Sequence, residues 1–368
     1  MCAALEIMTL DALQAPVFIA PPKTVDSDLA ARMSSIPLYA NLNGEERADV
    51  AMGLRLLRFD QGDIIVRQGS KADGLYFILR GEVEVTIALP GGGALWVTDL
   101  TDGNLIGELA MIRSAPRNAT VRAKSLVEAI FADWRFLTAA LAQLRPGAFK
   151  VFRNISSVLA ERMRSLHGKI HSVALRADRP YELLRVSPSK ASGHTASLDF
   201  NVNAFLPVLP CFRDFSLQSI DAVRSRASMI EVERGKEIVK LNDPAELAYI
   251  VVRGAVASGF TALGGFHLAS VRGPGCFCNV ASMIDLSPAS ASFLACENAI
   301  LLEMEIKQFR EVIAGTDETA YAFLSAVVQD QANSLARTMN HFKRIAGLTR
   351  MISQFRAGSK GELSLDIA

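Results

Sequence analysis

The sequence predicts a mainly β fold with flanking helices: two tandem β jelly-roll domains (double-stranded β-helices), each followed by an amphipathic helix. Three observations carry this expectation. LYFILRGEV at 75–83 returns as AYIVVRGAV at 248–256, an offset of 173 residues, and such self-similarity marks a duplicated unit. Within each copy, short runs rich in Val, Ile and Phe alternate with Gly, Asp and Asn. Each copy then closes on apolar residues spaced three or four apart, the stripe of an amphipathic helix.

The repeat extends both ways. Gly62 pairs with Gly235, and Ile65-Val66 with Ile238-Val239. Pro37-Leu38-Tyr39 answers to Pro210-Cys211-Phe212, and Leu159-Ala160 with Met163 to Leu335-Ala336 with Met339. The organisation read from this is an N-terminal segment (1–35), a first domain (36–172), a connector (173–203), a second domain (204–350) and a C-terminal tail (351–368). In the first copy the strand candidates are Asp63–Arg67, Leu75–Arg80, Val83–Leu89, Leu95–Leu100, Thr120–Ala123 and Val127–Ala132. Arg80-Gly81-Glu82 reads as a turn and Pro90–Gly93 as a hairpin tip. The first helix carries Phe152, Ile155, Leu159, Met163, Leu166 and Ile170; the second carries Tyr321, Leu324, Val328, Leu335, Met339 and Phe342. Either stripe suits packing on the chain itself or on a partner helix. The small polar run SPSKASGHTAS at 187–197 reads as an exposed linker.

Composition narrows the function classes. Half of the 368 residues are apolar, ample for two cores. The net charge of +1 gives no global field for nucleic acid or anionic lipid. The apolar run 245–257 is interrupted by Glu246 and Arg253 and is too short for a membrane span. No cationic leader precedes it, and the five cysteines (Cys2, Cys211, Cys276, Cys278, Cys296) are sparse and odd in number. That pattern fits reduced thiols and a cytoplasmic location. Cys276 and Cys278, with Cys296 nearby, lack the ligand set of a metal site and read as small buried residues. His167 and His171 share a helix face and read as a surface pair. No nucleophile, base and orienting partner occur together, so no enzyme, cofactor or metal is expected.

The chemistry concentrates in GNLIGELAMIRSAPRNATVRA at 103–123. Gly107 permits a tight backbone corner. Glu108 and the helix-compatible Leu109-Ala110-Met111-Ile112 follow, and the start of such a turn presents free N–H groups. Pro116 ends it and Arg117 follows, a planar fork suited to phosphate. A carboxylate and an arginine nine residues apart, on one small loop, suit a molecule that joins a sugar hydroxyl to a phosphate.

Gly107-Glu108-Leu109-Ala110 with Pro116-Arg117-Asn118-Ala119-Thr120 resembles the phosphate-binding cassette of cyclic nucleotide-binding domains. These occur in the catabolite activator protein, protein kinase A regulatory subunits and nucleotide-gated channels. The resemblance covers the whole first copy. It implies a cyclic nucleotide ligand, cAMP or cGMP. Glu108 then accepts from the ribose 2′-hydroxyl, and Arg117 pairs with the cyclic phosphate. Backbone N–H groups near Leu109, Ala110 and Ala119 bind the remaining oxygens. Asn118 stands where the family carries Ala, Ser or Thr, which leaves the base open.

The second copy reads GCFCNVASMIDLSPASASFLA at 275–295. Matched by residue type, Cys278 stands for Gly107, Asn279 for Glu108 and Ala289 for Arg117, so both anchors are lost. Relatives that read DNA carry a helix-turn-helix after the long helix; the residues after the second helix do not suffice for one, and DNA binding is disfavoured. The function expected is therefore a cyclic nucleotide receptor, its ligand in the first domain, its signal passed through helices to the second domain or to a protein partner. The alternative is a diverged catabolite-activator-type transcription regulator without a recognisable helix-turn-helix.

Overall fold

A computed structural model describes residues 29, 32–34, 36–88, 94–176, 183–184, 202–262 and 265–359. By contacts the chain divides into two compact units, Met1–Thr138 and Ala139–Ala368.

In the first unit, helix α1 (Gly44–Ala51) is closed by a reciprocal capping box: the Asn43 side chain accepts from the Glu46 N–H at 2.9 Å, and the Glu46 carboxylate accepts from the Asn43 N–H at 2.8 Å. Eight strands follow: β1 (Leu54–Phe59), β2 (Ile64–Val66), β3 (Gly74–Arg80), β4 (Val83–Ala88), β5 (Ala94–Leu100), β6 (Leu105–Ile106), β7 (Thr120–Ala123) and β8 (Val127–Asp133). They form two antiparallel sheets, ordered β1-β8-β3-β6 and β2-β7-β4-β5. In β1, Leu57 and Phe59 are buried in the core between the sheets while Arg58 between them is exposed, the alternation of a strand with one face inward. Leu57, Tyr76 and Phe131 from one sheet meet Val66, Val83 and Val121 from the other in one core. The expected strand at 63–67 shortens to Ile64–Val66, because the Asp63 carboxylate turns back to accept from the Asp60 N–H at 2.8 Å. The turn at Gly81 holds with φ 107°. The expected hairpin tip at Pro90–Gly93 lies outside the described residues.

Helix α2 (Glu108–Ile112) sits between β6 and β7, and α3 (Trp134–Ala142) spans the division between the units. The second unit holds α4 (Pro146–Arg176), a two-residue strand β9 (Leu183–Leu184), α5 (Leu217–Arg224), β10 (Ser228–Val232), β11 (Glu237–Val239), β12 (Leu247–Arg253), β13 (Val256–Ala262), β14 (Gly265–Arg272), β15 (Phe277–Cys278), α6 (Val280–Asp285), β16 (Ser292–Ala295), β17 (Ala299–Glu305), α7 (Ile306–Ala314) and α8 (Glu318–Ser359). Its sheets repeat the first unit's order, β10-β17-β12-β15 and β11-β16-β13-β14, with β9 added beside β14. The duplication is thus a duplication of topology as well as of sequence.

The first helix stripe is buried throughout: Phe152, Ile155, Leu159, Met163, Leu166 and Ile170 are each at most 7% exposed. Although its sequence follows the first copy, α4 belongs to the second unit, where it packs on α8, α6 and strands β13 and β14. His167 accordingly departs from the expected surface pair. It is 2% exposed, because it lies edge-on to Phe260 and within 2.9 Å of the Ser290 hydroxyl. In α8, Leu324, Val328 and Leu335 are buried, while Tyr321, Met339 and Phe342 are half-buried. The linker run at 187–197 lies outside the described residues. Among the described residues, no helix is long and apolar enough to cross a membrane.

Candidate functional site

The cassette of the first copy is built on the β6–β7 connection. Gly107 caps α2 in the left-handed conformation, φ 91° and ψ 2°, where a side chain is strained. All five residues of α2 are buried, and Glu108, its first, is 1% exposed. The turn closes as the Ala115 N–H donates to the Ala110 carbonyl at 2.9 Å, with Ser114 at φ 48°. The chain then returns along the Gly69-Ser70 turn. There the Arg117 N–H donates to the Ser70 carbonyl and the Gly69 N–H to the Arg117 carbonyl, both at 2.9 Å.

Arg117 is 4% exposed, a burial that a charged group tolerates only when paired. One guanidinium nitrogen, Nη1, donates to the Gly107 carbonyl at 3.0 Å. The other, Nη2, donates to the Gly74 carbonyl at 2.9 Å and to the Asp73 carboxylate at 3.1 Å. The cation also lies over the Tyr76 ring, 5.8 Å from its centroid. Burial, reinforced by Asp73 and opposed by Arg117, raises the Tyr76 phenol to about 12, so it stays protonated. These acceptors engage three of the five N–H groups of the guanidinium. A built Cβ on Gly107 would collide with Arg117 Nη1, so the glycine makes room for the arginine as well as for the turn.

The structure thus brings Gly107, Glu108, Leu109, Ala110 and Arg117 onto one buried loop, with Asn118 and Ala119 half-buried at its exit. The Ala110, Met111 and Pro116 side of this loop borders an open groove of about 840 Å³, which Lys71, Phe131 and Trp134 also line. Sequence reading missed Asp73, whose carboxylate is 69% exposed yet reaches Arg117, and Tyr76 beneath the guanidinium. The only available signal was an acidic residue just ahead of strand β3.

The second copy corrects the alignment by one residue. Tyr249 pairs with Cys278 as Tyr76 pairs with Ile106. Asn279, at φ 62°, caps α6 as Gly107 caps α2. Asn279 therefore stands for Gly107, Val280 for Glu108 and Cys278 for Ile106. The error arose because a left-handed corner accepts Asn as well as Gly. The conclusion about the anchors survives, since Val280 and Ala289 replace both. Asn279 Nδ2 donates to the Leu247 carbonyl at 2.9 Å. Leu247 is the counterpart of Gly74 at the offset of 173, so the amide takes over a tie that Arg117 makes in the first copy. Cys278 is buried and Cys276 and Cys296 half-buried. Burial pushes the Cys278 thiol up to about 12 and raises those of Cys276 and Cys296, which disfavours the thiolate that a metal requires. Among the described residues no cluster of metal-ligating side chains occurs.

Residues 56–143 and 229–316 each match the family of cyclic nucleotide-binding domains. Over 106 residues, 28% of this chain, the sequence is 34% identical to a cAMP-dependent protein kinase regulatory subunit of Dictyostelium discoideum, covering 32% of that protein. Over 94 residues, 26% of this chain, it is 35% identical to one of Blastocladiella emersonii, covering 23% of that protein. The chain therefore spans about a third or less of the relatives it matches. Among solved structures, the regulatory domain of Toxoplasma gondii PKA with cAMP is 18% identical, with a TM-score of 0.28; the match covers 77% of this chain and 90% of that one.

Proposed function

We infer that this chain, which carries two cyclic nucleotide-binding domains in tandem, is a receptor for cAMP or cGMP with one working pocket, in the first copy, and no catalytic activity. The observation that carries the reading is the buried Arg117 beside the Gly107 corner and Glu108, set against Ala289 and Val280 in the second copy.

In this reading Glu108 accepts from the ribose 2′-hydroxyl, and the N–H groups of Arg117 that its protein acceptors leave free take the cyclic phosphate. The backbone N–H groups of Leu109, Ala110 and Ala119 bind the remaining phosphate oxygens. Two features favour a charged ligand here. Arg117 is a permanent cation in a low-dielectric setting, where an anion is held far more strongly than in water. Its fork is already oriented by Gly107, Gly74 and Asp73, so little side-chain entropy remains to be lost on binding. Binding is passed through the helices to the second domain or to a protein partner. The chain works in the cytoplasm and reads no DNA.

Calorimetric titration of the full chain with cAMP and with cGMP, beside Arg117→Ala, tests this. One site per chain, lost in the variant, is the expected result. No heat with either nucleotide would overturn the reading, and two sites would overturn the single-pocket part of it.

A further inference from the structure

In the second unit, the altered cassette is covered by α4. Arg164 grips Asp285, the last residue of α6: Nη2 lies 2.9 Å from each carboxylate oxygen and Nε 3.3 Å from one of them. Its Nη1 donates to the Pro288 carbonyl at 2.6 Å. One turn on, His167 Nδ1 is 2.9 Å from the hydroxyl of Ser290. Ser290 is the counterpart of Asn118, two residues after the shared proline. The His167 ring stands edge-on to Phe260 at 5.7 Å, and the His171 ring lies 5.1 Å from the same phenylalanine. What remains of the pocket is a cavity of about 30 Å³, lined by Met163 and His167 of α4 together with Arg272, Val280, Ser282 and Ser290. That is room for about two water molecules and not for a nucleotide.

We propose that the altered cassette of the second copy is a binding site for a helix rather than for a nucleotide, and that its resident ligand is α4 of this chain, held through Arg164 and His167. The chemistry of the substitutions supports this. Asp285 replaces Arg113 of the first copy and gives the cassette a carboxylate for an incoming guanidinium. Val280 and Ala289 remove the two charged groups that an apolar helix face would otherwise bury unpaired. Ser290 offers a hydroxyl to an imidazole. A helix presenting Arg and His three residues apart, with Met163 beside them, fits this face on all three counts. Closure by α4 excludes a cyclic nucleotide independently of the missing anchors.

The His167 ring reports directly whether α4 is seated. Burial, then Arg272 on β14 and Arg164 on its own helix, lower it to about 3, and Asp285 on α6 and Asp330 on α8 are the nearby carboxylates. Ring NMR of the full chain, with His167 assigned by its loss in His167→Phe, is expected to show a neutral ring down to pH ~4. Arg164→Glu is expected to return its titration to near the ordinary value of about 6.5, and Arg164→Glu with Asp285→Arg to depress it again. Titration near 6.5 in the parent chain would overturn the proposal, as would an unchanged ring in Arg164→Glu. A second measurement uses Asn279→Gly, Val280→Glu and Ala289→Arg together, the glycine included because a side chain at that corner meets an arginine. This variant is expected to bind the same number of cyclic nucleotides per chain as the parent; one more site would overturn the exclusion by α4. The ring measurement involves no nucleotide, so it stands or falls separately from the receptor reading.

Discussion

Arg117 is where the receptor reading is most exposed to test. Its side chain is 3% exposed, and among the described residues its positive charge has a single carboxylate partner, Asp73, whose side chain is 69% exposed. A phosphate placed on its remaining N–H groups would make a buried, charge-assisted contact. Truncating one partner of such a contact costs about 2–5 kcal/mol, which is roughly 30- to several thousand-fold in Kd at about 1.4 kcal/mol per factor of ten. Arg117→Ala also strips a donor from the Gly107 and Gly74 carbonyls, for a stability loss of about 1–3 kcal/mol. The two effects separate in paired measurements: calorimetric titration for affinity, and urea unfolding of the ligand-free chain for stability. Arg117→Lys keeps the charge but not the fork, and should fall between parent and alanine variant. A folded Arg117→Ala chain whose Kd lies within about threefold of the parent would refute the phosphate role outright.

Further outcomes follow from the same geometry. Glu108→Gln should weaken cAMP or cGMP by about tenfold, and the loss should vanish when parent and variant are titrated with the 2′-deoxy nucleotide. Gly107→Ala meets both a left-handed backbone and Arg117 Nη1, whereas Gly62→Ala, at φ 95°, meets open space. Unfolding titrations should therefore show about 1–2 kcal/mol lost at Gly62 and distinctly more at Gly107, with nucleotide binding impaired only at the latter. His167, held near 3 in the fold against an ordinary 6.5, favours the folded chain when neutral. Its contribution is complete above pH 6.5 and drains away as pH falls toward 3, by up to about 5 kcal/mol. His167→Gln should flatten that part of the stability–pH curve.

How much was legible in the sequence depends on the range over which each signal acts. Most strands and the cassette were readable because their causes are local: short Val- and Ile-bearing runs such as Val83–Ala88, a left-handed corner at Gly107, a proline before Arg117. Strand Leu54–Phe59 was not among the expected ones, since LRLLRF holds no β-branched residue. The duplication was readable because both copies keep the same tight turns, Gly81 and Gly254 among them. The guanidinium's partners were not readable, since Asp73 and Gly74 lie more than forty residues from Arg117 and nothing in their own neighbourhood points to it. The destination of α4 was equally hidden. Its apolar stripe announces burial but not against what, and Arg164 finds Asp285 across 121 residues. Aligning the second cassette by residue type alone slipped by one, because Asn and Gly serve the same corner and only the pairing of Tyr249 with Cys278 fixes the count.

The corner residue and the arginine also constrain how the two copies drifted apart. Gly107 goes with Arg117, and Asn279 goes with Ala289. A chain with asparagine at the corner and arginine ten positions on would place two side chains in one space. A chain with glycine and alanine would leave the carbonyl at the head of the third strand without its donor. The second intermediate is the milder, because a carbonyl left without its donor costs less than atoms forced into one space. Loss of the arginine first, with the asparagine arriving afterwards, is thus the route with the milder intermediate. By the same logic the two positions should vary together wherever this domain has been copied and one copy released from its ligand.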